Sequence, residues 1–129
     1  MLDLPYQSHQ RIHPHKKYVV MLTYLPLAKY RFLPQFIYFV CRIVVQLRKS
    51  KGLVGYTLRA ALLKKQFWTL SIWENEQLMR DFVMQSPHLY AMADLQGKMG
   101  KTAFFQWHIA GEELPLSWEQ ALVKAKQKT

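Results

Sequence analysis

The spacing of apolar residues alternates between the strand period of two and the helical period of about 3.6, and the order of that alternation restricts the fold most. Tyr18 to Leu25 is rich in β-formers and closes at Pro26, which predicts a first strand. Phe32, Leu33, Phe36, Ile37, Val40, Ile43, Val44 and Leu47 then recur at helical spacing, and Pro34 suits a first turn. Gln35, Arg42, Gln46 and Lys49 fall opposite that stripe; Gly52 supplies the stop. Leu53 to Leu63 and Phe67 to Trp73 are β-rich runs joined by Lys64, Lys65 and Gln66, a hairpin pattern. Glu74 and Glu76 open a second helix whose apolar face is Leu78, Met79, Phe82 and Val83. Ser86 as cap and Pro87 as first helical residue start a further segment to about Gln96, which Gly97 and Gly100 end. Ala103 to Ile109 is the last strand. Ser117 and Gln120 have capping-box spacing, so a tail helix follows, ending in Lys124, Lys126 and Lys128.

The order strand, helix, strand, strand, helix, strand is the split βαβ pattern of an α+β, ferredoxin-like domain. It predicts a four-stranded antiparallel sheet with helices on one face, spanning residues 18–110. Residues 111–129 form a tail with a short helix. Residues 1–17 carry His9, His13 and His15, two prolines and little apolar content, and read as a mobile basic arm. His13 and His15 stand close enough to chelate a metal, but a pair of imidazoles alone does not make a site, and no metal is expected. With 129 residues the chain fits one domain. A single cysteine, Cys41, excludes an internal disulfide framework. No run reaches membrane-spanning length and no signal-peptide pattern opens the chain, so a cytoplasmic location is expected.

Charge is one-sided. The net charge is +10, and no acidic residue lies between Asp3 and Glu74, an interval holding twelve Lys and Arg. Such a field attracts anions: a charged small molecule, an anionic membrane surface, an acidic protein or nucleic acid. It also places every candidate acid or base carboxylate at Asp3 or from Glu74 onward, against a two-carboxylate hydrolase spanning both halves. In the first helix Tyr38, Phe39 and Val45 lie outside the main stripe. That surplus calls for a second protein contact or a peripheral membrane helix.

Both faces of the expected sheet are apolar. Trp68, Leu70 and Ile72 oppose Phe67, Thr69, Ser71 and Trp73; Phe105, Trp107 and Ile109 oppose Phe104, Gln106 and His108. In the second strand, Val54, Tyr56, Leu58 and Ala60 oppose Leu53, Gly55, Thr57, Arg59 and Ala61. Helices cover one face only, so the other is expected to close against a second copy, giving a homodimer.

The stretch FWTLSIWENEQLMRDFVMQSPHLYAM, residues 67–92, resembles the dimeric α/β-barrel superfamily, which includes antibiotic-biosynthesis and spheroidene-type monooxygenases. The resemblance rests on Trp73, Glu74, Phe82, Ser86 and His88, and on KGLVGYTLRA at residues 51–60. It implies a pocket between sheet and helices, and one fold with many activities. Haem-degrading members use an Asn, a Trp and a His where this chain has Thr23, Phe82 and Met92, so it departs from them. Haem, with His88 as ligand, is the one cofactor the resemblance brings into view; otherwise none is assigned.

The function the resemblance implies is binding of a hydrophobic aromatic or isoprenoid compound that could carry a negative charge, with monooxygenase-like oxidation of it if the protein is catalytic. His88 and His108 are the proton-transfer candidates, and Arg59, Tyr56, Trp73, Tyr90 and Trp107 the ligand contacts, each with an ordinary core or surface role as the alternative. The competing reading is a non-catalytic homodimer docking its basic face on an acidic partner or anionic membrane. No triad, phosphate loop or dinucleotide fingerprint occurs. Nucleic acid is not expected, because no RNA-binding signature is present.

Overall fold

The computed structural model describes residues 1–127; Lys128 and Thr129, part of the expected tail, lie outside the described residues. The elements are β1 (Leu2–Asp3), β2 (Gln7–Ser8), β3 (Lys17–Pro26), α1 (Leu33–Lys49), β4 (Leu53–Ala61), β5 (Gln66–Trp73), α2 (Glu76–Val83), α3 (His88–Asp94), β6 (Ala103–Ala110) and α4 (Trp118–Gln127). The long strands lie in the order β4-β5-β3-β6, all antiparallel, with β1 and β2 both pairing β4. This is the ferredoxin-like α+β arrangement, with α1, α2 and α3 on one face.

Local chemistry explains the boundaries. Asn75 caps α2, its Oδ1 accepting the Leu78 amide at 2.9 Å. Ser117 and Gln120 form the expected reciprocal box: each backbone N–H donates to the other's side chain, at 3.0 and 3.1 Å. Helix α3 begins at His88 rather than Pro87, which occupies the cap position, and it ends at Asp94, before Gln96. Gly52 holds φ +89°, a left-handed turn between α1 and β4 that only glycine adopts without cost.

Three expectations need correction. The first concerns the arm. Leu2 and Asp3 pair with Ala60 and Arg59, and Gln7 and Ser8 with Tyr56 and Gly55. Thr57 Oγ1 donates to the Leu4 carbonyl at 2.7 Å. The β4 edge offers unpaired backbone groups, and the arm satisfies them without needing apolar side chains. Gly55 permits the close approach: a Cβ there would overlap the Tyr6 ring.

Second, the far face of the sheet is not open. Tyr18, Val20, Leu22, Val54, Leu70, Ile72, Trp107 and Ile109 form one core cluster with Trp118, Ala121 and Ala125 of α4. Those three residues stand at i, i+3 and i+7, so α4 lays one stripe on the sheet, and its two alanines allow close approach. Tyr6 and Ile12 complete the cover. The chain roofs its own apolar face, which removes the argument that a second copy must do so.

Third, strict alternation fails at the start of β4. A register shift between Leu53 and Gly55 puts Leu53 and Tyr56 in the cluster under α1 and α2, and Val54 in the cluster under α4. Among the described residues, no helix is long and apolar enough to cross a membrane.

Candidate functional site

Between the sheet and helices α1–α3 lies a cavity of about 350 Å³. Strand register builds its floor. One row across the sheet runs Leu58, Thr69, Thr23, Phe104; the next runs Tyr56, Ser71, Met21, Gln106. Paired residues on antiparallel strands share a face, so these rows collect small polar groups in an otherwise apolar floor. Phe36, Val40, Ile43 and Val44 of α1 supply much of the roof, and His88 and Ala91 of α3 close it. Phe104 and Met92 line the cavity and are also exposed, which sets its opening between the start of β6 and α3.

His88 is held at two points. Its backbone N–H donates to Gln46 Oε1 at 2.8 Å. Its ring Nδ1 lies 3.1 Å from the Val83 carbonyl. A carbonyl can only accept, so Nδ1 carries the proton and Nε2 keeps the lone pair. Burial pushes the ring's pKa below its usual value, and the Val83 bond opposes that only in part. The result is a half-buried, neutral imidazole in the cavity wall whose free nitrogen is a base.

Gln46 makes this arrangement. It is buried, and its Nε2 also donates to the carbonyls of Phe82 at 2.9 Å and Gln85 at 3.2 Å. Sequence spacing put Gln46 on the polar side of its helix. The α2–α3 junction packs over that position instead; Gln46 Oε1 gives the His88 N–H its partner, and Nε2 adds a bond to the Phe82 and Gln85 carbonyls, which also accept from the Gln85 and Leu89 amides.

The other expected site residues scatter. Tyr56 lines the cavity, its hydroxyl accepting from Arg48 Nε at 3.2 Å. Trp73 is wholly buried beneath Phe82, and its Nε1 donates to Ser71 Oγ at 2.9 Å, so it is core. Trp107 belongs to the far face, under α4. Tyr90 is exposed outside the cavity, 6.1 Å from the Phe39 ring. Arg59 is not a cavity residue: its Nε and Nη2 donate to the Asp3 carboxylate at 2.7 and 2.9 Å, and it lies 5.1 Å over the Trp118 ring. His108 shares a row with Val19 and Trp73 but is exposed, because the helices do not cover β6 there. It lies near Glu76, whose carboxyl the Gln106 amide and Arg80 hold below its usual range. The two histidines therefore belong to different places.

Sequence reasoning missed Thr23 and Thr69 as a pair. They are directly opposed in the register, and neither hydroxyl has a side-chain hydrogen bond among the described residues. Their shared face was readable from alternation; their adjacency needed the strand order.

The wall does not fit a haem. It offers one imidazole and, among the described residues, no Lys or Arg to meet two propionates. Nor does any group of three His, Cys, Asp or Glu among those residues suit a metal ion.

No protein-family model matches the sequence, and no curated protein matches it. Solved structures do. A candidate antibiotic biosynthesis monooxygenase from Deinococcus radiodurans superposes with a TM-score of 0.64 at 17% identity, over 77% of this chain and 98% of that one. SnoaB, a cofactor-independent oxygenase from Streptomyces nogalater, gives 0.61 at 16% identity, over 78% and 99%. A candidate monooxygenase from Fusobacterium nucleatum gives 0.66 at 8% identity, with 77% of this chain covering 45% of that one. These superpositions show the fold: the chain folds like these monooxygenase-like proteins, as the resemblance in residues 67–92 implied.

Proposed function

We propose that the protein binds an uncharged, hydrophobic aromatic or isoprenoid compound in the cavity between sheet and helices, and oxidises it in the manner of a monooxygenase. The observation that carries this reading is the neutral His88 imidazole in the wall of an apolar cavity whose floor presents two unpaired hydroxyls, Thr23 and Thr69. An apolar wall selects the hydrocarbon body of a ligand, and a few convergent polar groups orient it. The absence of Lys and Arg from the described wall argues against an anionic ligand, and the pairing of Arg59 with Asp3 removes its expected anchor.

His88 Nε2 takes a proton from an acidic hydroxyl on the bound compound. The electron-rich anion that remains forms a carbon–oxygen bond with dioxygen, and the apolar walls keep water from reprotonating it. The hydroperoxide so formed breaks its O–O bond and loses water to leave a carbonyl. One oxygen atom thus enters the compound, the other leaves as water, and the compound itself supplies the electrons. The fold shared with a cofactor-independent oxygenase supports chemistry of this kind. His108 takes no part.

The test is oxygen consumption with a hydroxylated naphthalene as substrate, comparing the wild-type chain with His88→Gln. Loss of a general base lowers the turnover rate by about 100-fold or more, with the Michaelis constant little changed. Equal rates in the two proteins would remove His88 from the chemistry. No binding of any neutral aromatic would remove the site.

A further inference from the structure

The outward side of a helix packed on a sheet is ordinarily polar. On α1 it is not. Pro34, Ile37, Tyr38, Cys41 and Val45 succeed one another at one-, three- and four-residue steps on its exposed side, with Ile37 43%, Tyr38 54% and Val45 52% exposed. Helix α3 extends the strip: Leu89 and Tyr90 are exposed, and the Tyr90 ring lies beside Phe39 of α1. The apolar strip is thus continuous over two helices, in a protein whose sheet has both faces already covered by its own chain.

Its border is cationic. Lys29 and Arg31 precede α1, Arg42 runs along it, and Arg48, Lys49 and Lys51 close it, all exposed. Arg42 Nη1 donates to the Tyr38 hydroxyl at 2.9 Å, which holds a cation at the strip's edge. Beside Val45 a groove of about 710 Å³ is walled by Arg42, Lys49 and Lys51, with Asp81 its one carboxylate among the described residues.

We propose that this face docks on an anionic lipid bilayer, with α1 lying shallowly in the headgroup layer. The charge pattern selects that occupant. A second copy meeting the same patch across a two-fold axis would bring the basic border against itself. A strip of apolar side chains bordered by Lys and Arg at both helix ends suits shallow insertion, where the apolar row enters and the long cations reach lipid phosphates. Docking also places Met92 and the cavity opening near the bilayer, so an apolar ligand need not cross water. The docking does not depend on any reaction in the cavity.

Two readouts test it on the full chain. Co-sedimentation uses vesicles of phosphatidylcholine mixed with phosphatidylserine, against phosphatidylcholine alone. The wild type pellets with the mixed vesicles at low salt, and the bound fraction falls as salt rises. Ile37→Glu with Val45→Glu, both at exposed positions, lowers the bound fraction at least several-fold with unchanged circular dichroism. Arg42→Glu weakens binding mainly at low salt. The second readout is an environment-sensitive dye on Cys41, the chain's single cysteine and an exposed one. Its emission shifts to the blue when mixed vesicles are added. Absence of pelleting at low salt overturns the proposal, as does undiminished binding of the double variant or a dye that stays in water while the protein pellets. A dimer that Ile37→Glu dissolves would instead assign the face to a second copy, and would equally overturn it.

Discussion

The side-chain amide of Gln46 on α1 accepts the backbone N–H of His88 on α3 at 2.8 Å while donating to the carbonyls of Phe82 and Gln85. One buried side chain thereby ties the helix that roofs the cavity to the turn that presents its imidazole. Replacing it with leucine keeps the volume and removes all three bonds. Gln46→Leu is expected to cost about 1–3 kcal/mol, since the His88 N–H loses its partner while the Phe82 and Gln85 carbonyls keep their backbone bonds. The turnover rate falls as His88 loses its anchor, with the Michaelis constant little changed. Thermal unfolding and oxygen-consumption kinetics of Gln46→Leu check both effects.

His88 gives stability a pH dependence of defined sign. Burial lowers its pKa in the folded protein, while in the unfolded chain it titrates near the ordinary value of about 6.5. As pH falls through that value the unfolded state takes up the proton first. Stability therefore declines there and levels off below the folded pKa. Denaturant midpoints measured from neutral to mildly acidic pH show this slope in the wild type, and a smaller one in His88→Gln.

The Asp3–Arg59 pair fastens the arm to β4. The Arg59 hydrogen bond holds the Asp3 carboxyl below its usual pKa, so the pair's contribution is complete above about pH 4 and is lost as pH falls through the lowered value. Asp3 is partly exposed, so solvent screens the pair, and Asp3→Asn costs about 0.5–1 kcal/mol. Amide exchange accelerates in residues 2–8, with little change in β3.

Helix α4 is held by Trp118. Trp118→Ala opens the far face of the sheet and costs about 3–5 kcal/mol. Binding of a dye specific for exposed apolar surface rises with it. If neither changes, α4 does not roof the sheet in solution.

The strand and helix order was legible because long segments such as Phe67–Trp73 and Phe36–Leu47 keep one period, and β4 departs from it only at its start, between Leu53 and Gly55. The arm was not, since Leu2 to Ser8 joins the sheet through backbone groups that composition does not report. The fate of the far face was half legible. The Ser117–Gln120 box marked a tail helix, and Trp118, Ala121 and Ala125 already stood at one-face spacing, but nothing local said which surface they meet. In the site, His88 was accessible as a helical histidine beside Phe82. Gln46 was not: its partners lie on a turn more than 30 residues away in sequence, and a glutamine within an amphipathic pattern reads as solvent-facing. Arg59 misled because a strand arginine suggests an anionic ligand, whereas the compensating carboxylate was Asp3 from the arm.

The most direct measurement is a chemical-shift titration of the labelled protein with 2-naphthol. The largest changes are expected at the His88 ring and at the Thr23 and Thr69 methyl groups, with Arg59, Trp107 and Trp118 unmoved. Changes confined to the α4 side, or none at saturating probe, would contradict a ligand cavity between sheet and helices.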